Sequence, residues 1–139
     1  MWDAATTDEF DTWFTELGES REGVDAQVEI DAVVTLLRTI GPTLGRPTVD
    51  TLAGSKHANL KELRVSASGM VLRIAFAFDP LQKAILLVGG DKGGVNQQRF
   101  YKQLIRKADK EYDRHLAAIK TQVEAKQAAR AKKAKRKGS

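Results

Sequence analysis

Residues 70–78 alternate between two chemistries, and this pattern constrains the fold more than any other part of the chain. Bulky apolar side chains occupy every second position, at Met70, Leu72, Ile74, Phe76 and Phe78. Between them stand small residues and one base, at Val71, Arg73, Ala75 and Ala77. Because successive side chains of a strand point to opposite faces, the pattern predicts a β-strand whose bulky face packs under helices. The other face, which carries Arg73, is expected to be open.

Two further strands are predicted beside this one, at Leu60–Ser66 and Lys83–Val88. The connections are short, a Ser-Ala-Ser-Gly turn at residues 66–69 and an Asp-Pro turn at residues 79–80. Two short connections in succession predict an antiparallel meander. Trp2–Ala5 alternates over a few residues and is predicted to be a short first strand.

Three helices complete the pattern. Thr6 and Glu9 form a capping box before a first helix that Gly18 closes. A second helix follows Ser20 and ends at the next Gly-Pro pair. Residues 41–59 contain repeated Gly and Pro and are predicted to be a long connection. A long C-terminal helix is indicated by apolar residues at helical spacing, namely Tyr101, Leu104, Ile105, Ala108, Tyr112, Leu116, Ile119 and Val123.

Together these elements comprise two N-terminal helices, a small, mostly antiparallel sheet and a long C-terminal helix. The domain is expected to span residues 1–119. Residues 120–139 are rich in Ala, Lys and Arg. They favour a helix but lack an apolar face, so we expect a basic tail that is helical or disordered.

The charge is distributed unevenly along the 139 residues. The net charge is +5, yet residues 1–31 hold ten acidic residues against one base, and residues 120–139 hold eight bases against one acid. This polarity is typical of a protein that meets a polyanion with one side only. The tail would add salt-sensitive affinity for nucleic acid, although a solubilising extension explains it equally well.

Several classes of protein are excluded by the composition. The chain has no cysteine and two histidines, which rules out thiolate chemistry and disfavours a histidine metal site. The glycine-rich segment 89–94 matches neither a P-loop nor a dinucleotide fingerprint. We therefore expect no cofactor and no metal. No apolar run approaches the ~20 residues of a membrane span and the first residues do not form a signal peptide, so a cytoplasmic protein without membrane contact is expected.

Three basic residues stand at informative positions. Arg64 and Arg73 lie on neighbouring strands and both point away from the bulky face, so they are expected to share the open face of the sheet. Lys92 lies in the loop after the third strand, at the rim of that face. Clustered cations repel each other, and partner phosphates would relieve that repulsion. The alternative is that each base simply solvates the surface.

Tyr101 is open to two interpretations, as a core residue of the long helix or as a side chain that points at the Lys92 loop. His115 lies on a charged stretch of the same helix, between Arg114 and Leu116, and we interpret it as a surface residue without a role in the site. Paired catalytic carboxylates are not apparent, because the acids concentrate in the N-terminal region.

The order of these motifs resembles the RelE/HigB superfamily of bacterial toxins, most closely its phage-derived, HigB-like branch. The resemblance covers roughly residues 1–119. It is carried by Leu-Lys-Glu-Leu-Arg at residues 60–64, Arg-Ile-Ala-Phe at residues 73–76, and Leu-Leu-Val-Gly-Gly-Asp-Lys at residues 86–92, followed by a helix with Tyr101. Val88 and Gly93 stand where members of this branch often carry a histidine and a second lysine.

The resemblance implies a small α+β fold, with helices on one face of a mostly antiparallel sheet and a concave basic face opposite. It implies a toxin that cleaves mRNA in the ribosomal A site without a metal. It also implies a cognate helix-turn-helix antitoxin that neutralises the toxin, and a complex that binds operator DNA through the antitoxin. By position, Arg64, Arg73 and Lys92 match the basic residues of the family, and Tyr101 is a looser match. Four further residues are expected to contact RNA: Lys56, His57, Arg99 and Lys102.

Cleavage of RNA by its own 2′-hydroxyl requires that this group be deprotonated, that the phosphorane be stabilised and that the leaving oxygen be protonated. Arginine keeps its proton, so Arg64 and Arg73 suit charge stabilisation. A lysine among other cations can exchange a proton, which makes Lys61 or Lys92 the candidate acid or base. Two other functions remain open: a non-catalytic module that binds nucleic acid or the ribosome, and a toxin that inhibits a topoisomerase.

Overall fold

In a computed structural model that describes residues 1–138, residues 70–78 form the central strand of a five-stranded sheet. In chain order the elements are β1 (Ala4–Thr6), α1 (Asp8–Leu17), α2 (Arg21–Ile40), a single 3₁₀ turn (Gly41–Thr43), β2 (Val49–Thr51), β3 (Lys61–Ala67), β4 (Met70–Phe78), β5 (Ala84–Asp91) and α3 (Gln97–Gly138). The strand order across the sheet is β1-β5-β4-β3-β2.

The antiparallel meander β3–β4–β5 is confirmed, and the α+β fold class with it. β1 adds to the far edge as a parallel partner of β5. The prediction that residues 41–59 form only a connection is wrong at one point, because β2 pairs antiparallel with β3 through Val49 and Leu63. An edge strand of three residues is too short to leave a periodic pattern in the sequence.

The bulky face of β4 packs under α1 and α2, as predicted. Leu72, Ile74 and Phe76 are fully buried there. They share one core with Phe10 of α1 and Ile30 of α2. This core fixes which way β4 faces, because a slip of one residue would send its bulky side chains to the other side of the sheet.

The opposite face of the sheet is not open, and the expectation that it would be is wrong. The first half of α3 covers it and forms a second core, in which Ala75 and Ala77 lie against Leu104, Ala108 and Tyr112. Alanines on the sheet leave room for a helix to approach closely. The small side chains, which suggested an exposed surface, therefore form the surface on which α3 packs.

The helix caps lie close to their predicted places. Thr7, one residue after the predicted Thr6, caps α1 by accepting a hydrogen bond from the backbone N–H of Phe10. Ser20 caps α2 as predicted, with Gly23 as the donor. β1 begins two residues later than expected, and β3 and β5 are shifted or extended by one to three residues. α3 continues as a helix through the basic tail, where every side chain from residue 120 to residue 136 is exposed.

His115 is not an isolated surface residue. Its Nε2 lies 2.8 Å from a carboxylate oxygen of Asp79, which is itself buried at the turn between β4 and β5. The other oxygen of Asp79 accepts backbone hydrogen bonds from Leu81 and Lys83. Burial raises the pKa of Asp79, but the hydrogen bonds outweigh burial and hold the pKa below its ordinary value of 3.8. Asp79 thus ties the β4–β5 turn to α3.

We expect Asp79→Asn to lower the free energy of unfolding near neutral pH. Because the folded state lowers the pKa of Asp79, the carboxylate stabilises the fold above its ordinary pKa, and this contribution is lost as the pH falls through the folded-state value. Urea unfolding of both proteins between about pH 7 and pH 3 measures the difference. A difference that is unchanged at the acid end would contradict this account.

Candidate functional site: a charged cluster at the end of the sheet

Arg64 of β3 and Arg73 of β4 are direct cross-strand partners, so their side chains lie on the same face of the sheet. That face is the one covered by α3. The sequence therefore predicted the shared face correctly. The side chain of Arg64 remains 35% exposed, whereas Arg73 is 8% exposed as a whole residue.

A buried carboxylate lies between the two arginines. Glu62, which is 3% exposed, accepts a hydrogen bond from Nε of Arg64 on its Oε1 at 3.0 Å. Its Oε2 lies 3.9 Å from Nε of Arg73 and has no hydrogen-bond partner among the described residues. Glu62 therefore lies between the two guanidinium groups, with a hydrogen bond to Arg64 and a longer charge contact to Arg73.

Arg64 is paired a second time, with Asp50 on the edge strand β2. Nη2 of Arg64 lies 3.1 Å from Oδ2 of Asp50, and Arg46 reaches the same oxygen at 3.2 Å. The hydrogen bond to Glu62, together with both carboxylate charges, raises the pKa of Arg64. Arg46, followed by a backbone hydrogen bond from Thr51, lowers the pKa of Asp50. Arg64 is therefore neutralised within the protein, so it does not need partner phosphates to relieve its repulsion with Arg73.

Arg73 is aimed at the first turns of α3. Its Nη1 donates to the carbonyl oxygen of Leu72 at 2.9 Å, and its Nε lies 3.3 Å from the hydroxyl of Tyr101. Burial raises the pKa of Tyr101; the neighbouring Glu62 raises it further, while Arg73 opposes the shift. The contacts support the interpretation that Tyr101 points towards the Lys92 loop. Its ring also borders the second core.

Lys92 approaches the same tyrosine from the loop after β5. Its Nζ lies 5.8 Å from the centre of the Tyr101 ring, within the range of a cation–π contact. The loop is held by a hydrogen bond from the backbone N–H of Lys92 to Val71. Gly90 admits this arrangement, since a Cβ at that position would come within 2.9 Å of the Phe100 ring. Arg73 and Lys92 therefore both approach Tyr101, near the start of α3.

Lys61 does not join this cluster. It is the register partner of Phe76, whose side chain lies in the core under α1 and α2. Lys61 is therefore on the opposite face of the sheet from Arg64 and Arg73. The prediction that Lys61 serves in the same site finds no support in this geometry.

Lys56 and His57 lie elsewhere and are engaged within the protein. Both contact the carboxylate of Asp113 on α3, Lys56 through Nζ and His57 through Nε2 at 2.8 Å. The His57 ring also meets Tyr112 edge to face at 4.8 Å. Asp113 lies twelve residues beyond Tyr101, about 18 Å along the helix. These two residues fasten the long connection to α3, apart from the cluster.

Arg99 and Lys102 are exposed near the start of α3, close to the cluster in sequence. Arg99 lines a groove of about 530 Å³ between α1 and α3, whose wall includes Trp13 and Glu16. Neither residue forms a hydrogen bond or an ion pair with Arg73 or Tyr101. They border the site rather than form it.

Sequence reasoning missed the two carboxylates, Glu62 and Asp50. The signal for Glu62 was present, because it stands two residues before Arg64 in the same strand and must share its face. Asp50 gave no such signal, since its strand was not predicted. In the part of the chain that the structure describes, no group of three or more His, Cys, Asp or Glu side chains is arranged to hold a metal ion. None of the described helices is long and apolar enough to cross a membrane.

The protein is a small α+β domain whose sheet lies between two helical layers. At one end of the sheet is a charged cluster, in which a buried glutamate holds the arginines beside a tyrosine and a lysine. The chain belongs to the family described as phage derived protein Gp49-like (DUF891), whose model matches residues 13–113. The HigB-like resemblance is thereby confirmed. The matched residues include the cluster and leave out the basic tail.

Two relatives come from Mycobacterium tuberculosis. The chain is 44% identical over 106 residues to "Putative toxin HigB3", which covers 76% of this chain and 86% of the relative. It is 46% identical over 87 residues to "Putative toxin HigB2", which covers 62% of this chain and 43% of that longer relative.

We expect Glu62→Ala to lower the free energy of unfolding by about 3 kcal/mol, as is typical when one partner of a buried ion pair is removed. The variant leaves Arg73 buried beside no counter-charge. Asp50→Ala is the matched control, because it removes the outer carboxylate of Arg64 and retains Glu62, and its loss should be smaller. Urea unfolding of the three proteins measures both effects. Equal losses in the two variants would contradict the central position of Glu62.

Proposed function

We propose that this protein is the toxin of a toxin–antitoxin system and that it cleaves mRNA on the ribosome. The family membership and the names of the two relatives support the toxin assignment. The observation that carries the proposed chemistry is the convergence on one tyrosine: Arg73 Nε lies 3.3 Å from the Tyr101 hydroxyl, and Lys92 Nζ lies 5.8 Å from its ring.

The proposed reaction is attack of a 2′-oxygen of the mRNA on the neighbouring phosphorus. The bond from phosphorus to the 5′-oxygen breaks, the 2′-hydroxyl loses its proton and the 5′-oxygen gains one. The products are a 2′,3′-cyclic phosphate and a 5′-hydroxyl. The reaction uses the substrate's own nucleophile, so the protein has to supply charge stabilisation, proton transfer and positioning.

Arg73 is the residue that we assign to charge stabilisation, because its guanidinium keeps a fixed charge and offers a planar set of donors to phosphate. Arg64 is assigned to the support of the site, since Glu62 and Asp50 already occupy it. Glu62 keeps Arg73 in place through charge. The proposal thus gives the two arginines different roles, whereas the sequence-based prediction gave them the same one.

Tyr101 is assigned as a hydrogen-bond donor. Because its pKa is raised, the hydroxyl stays protonated at neutral pH and suits donation to a phosphate or leaving oxygen rather than proton abstraction. Lys92 is retained as the lysine that exchanges a proton, since Lys61 lies on the other face. Arg99 and Lys102 are proposed to contact RNA phosphates beside the site. Lys56 and His57 contribute less to RNA binding in this proposal, because Asp113 engages both.

The proposed partners follow from this activity. A helix-turn-helix antitoxin would neutralise the toxin by covering the cluster, and the pair would bind operator DNA through the antitoxin. The ribosome and its mRNA would be met in the cytoplasm. The ribosome would position the message, which lowers the demand on the few chemical groups of the cluster.

We expect Tyr101→Phe and Arg73→Lys to reduce mRNA cleavage by about 10²-fold each, the size of effect seen when one donor to a transition-state oxyanion is lost. Both changes keep the bulk of the side chain, and Arg73→Lys also keeps the charge beside Glu62. Induction of each variant in cells, followed by mapping of mRNA 5′ ends, measures cleavage alongside growth.

Tyr112→Phe and Arg114→Lys are matched controls, since they make the same two types of change in α3 outside the cluster. Tyr112 accepts a hydrogen bond from Asn59 outside the cluster, and Arg114 is an exposed residue paired with Glu111. Both controls should cleave as the wild type does. Full toxicity of folded Tyr101→Phe and Arg73→Lys would overturn the proposed site. Ribosome stalling without new mRNA ends would favour a non-catalytic binding module, and DNA breakage would favour topoisomerase inhibition.

A further inference from the structure

The inner face of α3 changes its chemistry where the helix leaves the sheet. Residues 108, 112, 115, 119, 123, 126, 130 and 133 follow each other at intervals of three and four, which places them on one helical face. Up to residue 119 this face packs against the sheet, with Ala108, Tyr112 and Ile119 buried. Val123 is 40% exposed and marks the end of packing.

Beyond Val123 the same face is cationic. It presents Lys126, Arg130 and Lys133, which we call the tail stripe, and all three are exposed. No carboxylate stands among them, since Glu124 is the one acidic residue of the sequence from residue 120 onwards. The side of the helix that is apolar over the domain is therefore basic where it extends past the domain.

The tail stripe is suited to an extended polyanion. An apolar partner or a membrane interface would need large apolar side chains on this face, and between residues 124 and 136 the apolar residues are alanines. The three charges span seven residues, about 10 Å along the helix. Phosphates along a nucleic-acid strand recur at shorter intervals than this, about 3.4 Å along a B-form axis, so one backbone offers a partner to each charge.

We propose that the tail stripe docks the protein on the phosphate backbone of structured RNA, and specifically on ribosomal RNA. The choice of the ribosome rests on the proposed function, which brings the protein to that RNA. The tail lies outside residues 13–113 that match the family, so this docking surface is an addition to the cluster that carries the chemistry. It supplies affinity without sequence preference, while the cluster supplies the reaction.

The test compares two triple variants of equal charge. Lys126→Gln/Arg130→Gln/Lys133→Gln removes the tail stripe, and Lys120→Gln/Lys132→Gln/Lys135→Gln removes three bases from other sides of the same exposed helix. Equilibrium binding to purified 70S ribosomes is measured for the full chain between about 50 and 200 mM salt. Each lost phosphate contact reduces the slope of log K against log salt by about 0.7–0.9.

The stripe variant is expected to lower this slope by about 2–3 and to weaken binding at least ~10-fold, and the control variant to change the slope by less than about 1. Equal effects of the two variants would overturn the proposal, because they would show a diffuse charge effect. Absence of ribosome binding by the wild type would also overturn it. Binding that depends on the stripe, without any mRNA cleavage by the wild type, would support RNA docking while refuting the proposed enzyme.

Self-association is the competing outcome. Exposed Glu22, Asp25 and Glu29 form an acidic row on α2 with a similar span, and a second copy could offer it to the tail stripe. Sedimentation of the same variants tests this alternative. A dimer that the stripe variant abolishes, with ribosome binding unchanged, would show that the stripe pairs with protein and would refute the RNA assignment.

Discussion

The two faces of β4 determine where everything else in the molecule lies. One face is filled by Leu72, Ile74 and Phe76 and requires a thick cover, which α1 and α2 provide. The other face is lined by Ala75 and Ala77 and allows α3 to pack closely. Arg73 stands one step further along this second face. The close packing of α3 therefore brings Tyr101 to Arg73 and leaves the charged cluster at the point where the helix begins.

Glu62 determines how the two arginines of the cluster are held. Without it, two arginines on adjacent strands would repel each other in a largely buried position. With it, Arg64 is fully engaged, by Glu62 and by Asp50, and Arg73 is held beside Tyr101. An arrangement fixed before substrate arrives is what electrostatic stabilisation of a transition state requires. The cluster thus holds Arg73 beside Tyr101, as the proposed reaction requires.

Much of the fold was predictable because it depends on local patterns. The alternation of residues 70–78, the short turns and the cap at Ser20 are local signals, and strand parity alone placed Arg64 and Arg73 on one face. The cover of that face was not predictable, since an apolar helical stripe does not reveal which surface it meets. The pairing of His57 with Asp113 and of His115 with Asp79 joins residues 56 and 36 positions apart, and no local rule reports such contacts.

Strand parity, applied to every residue of β3, would have placed both Lys61 and Glu62 correctly. Parity places Lys61 with Leu63, on the face opposite to Arg64, and it places Glu62 beside Arg64. The sequence-based prediction considered only basic residues, so it included Lys61 in the site and omitted Glu62. The edge strand with Asp50 lacked any pattern to detect. The roles of Arg73, Tyr101 and Lys92 in catalysis stay predictions that depend on the reaction itself.

The central claim is that the cluster promotes attack by the 2′-hydroxyl of the message. It is tested most directly in a reconstituted translation system, with ribosomes stalled on one of two synthetic messages. One message is entirely ribonucleotide, and the other carries a single 2′-deoxy nucleotide at the position where the first is cut. The account predicts a 2′,3′-cyclic phosphate end on the first message and no cleavage of the second at that position. Cleavage of both messages at the same place, or of neither, would contradict it.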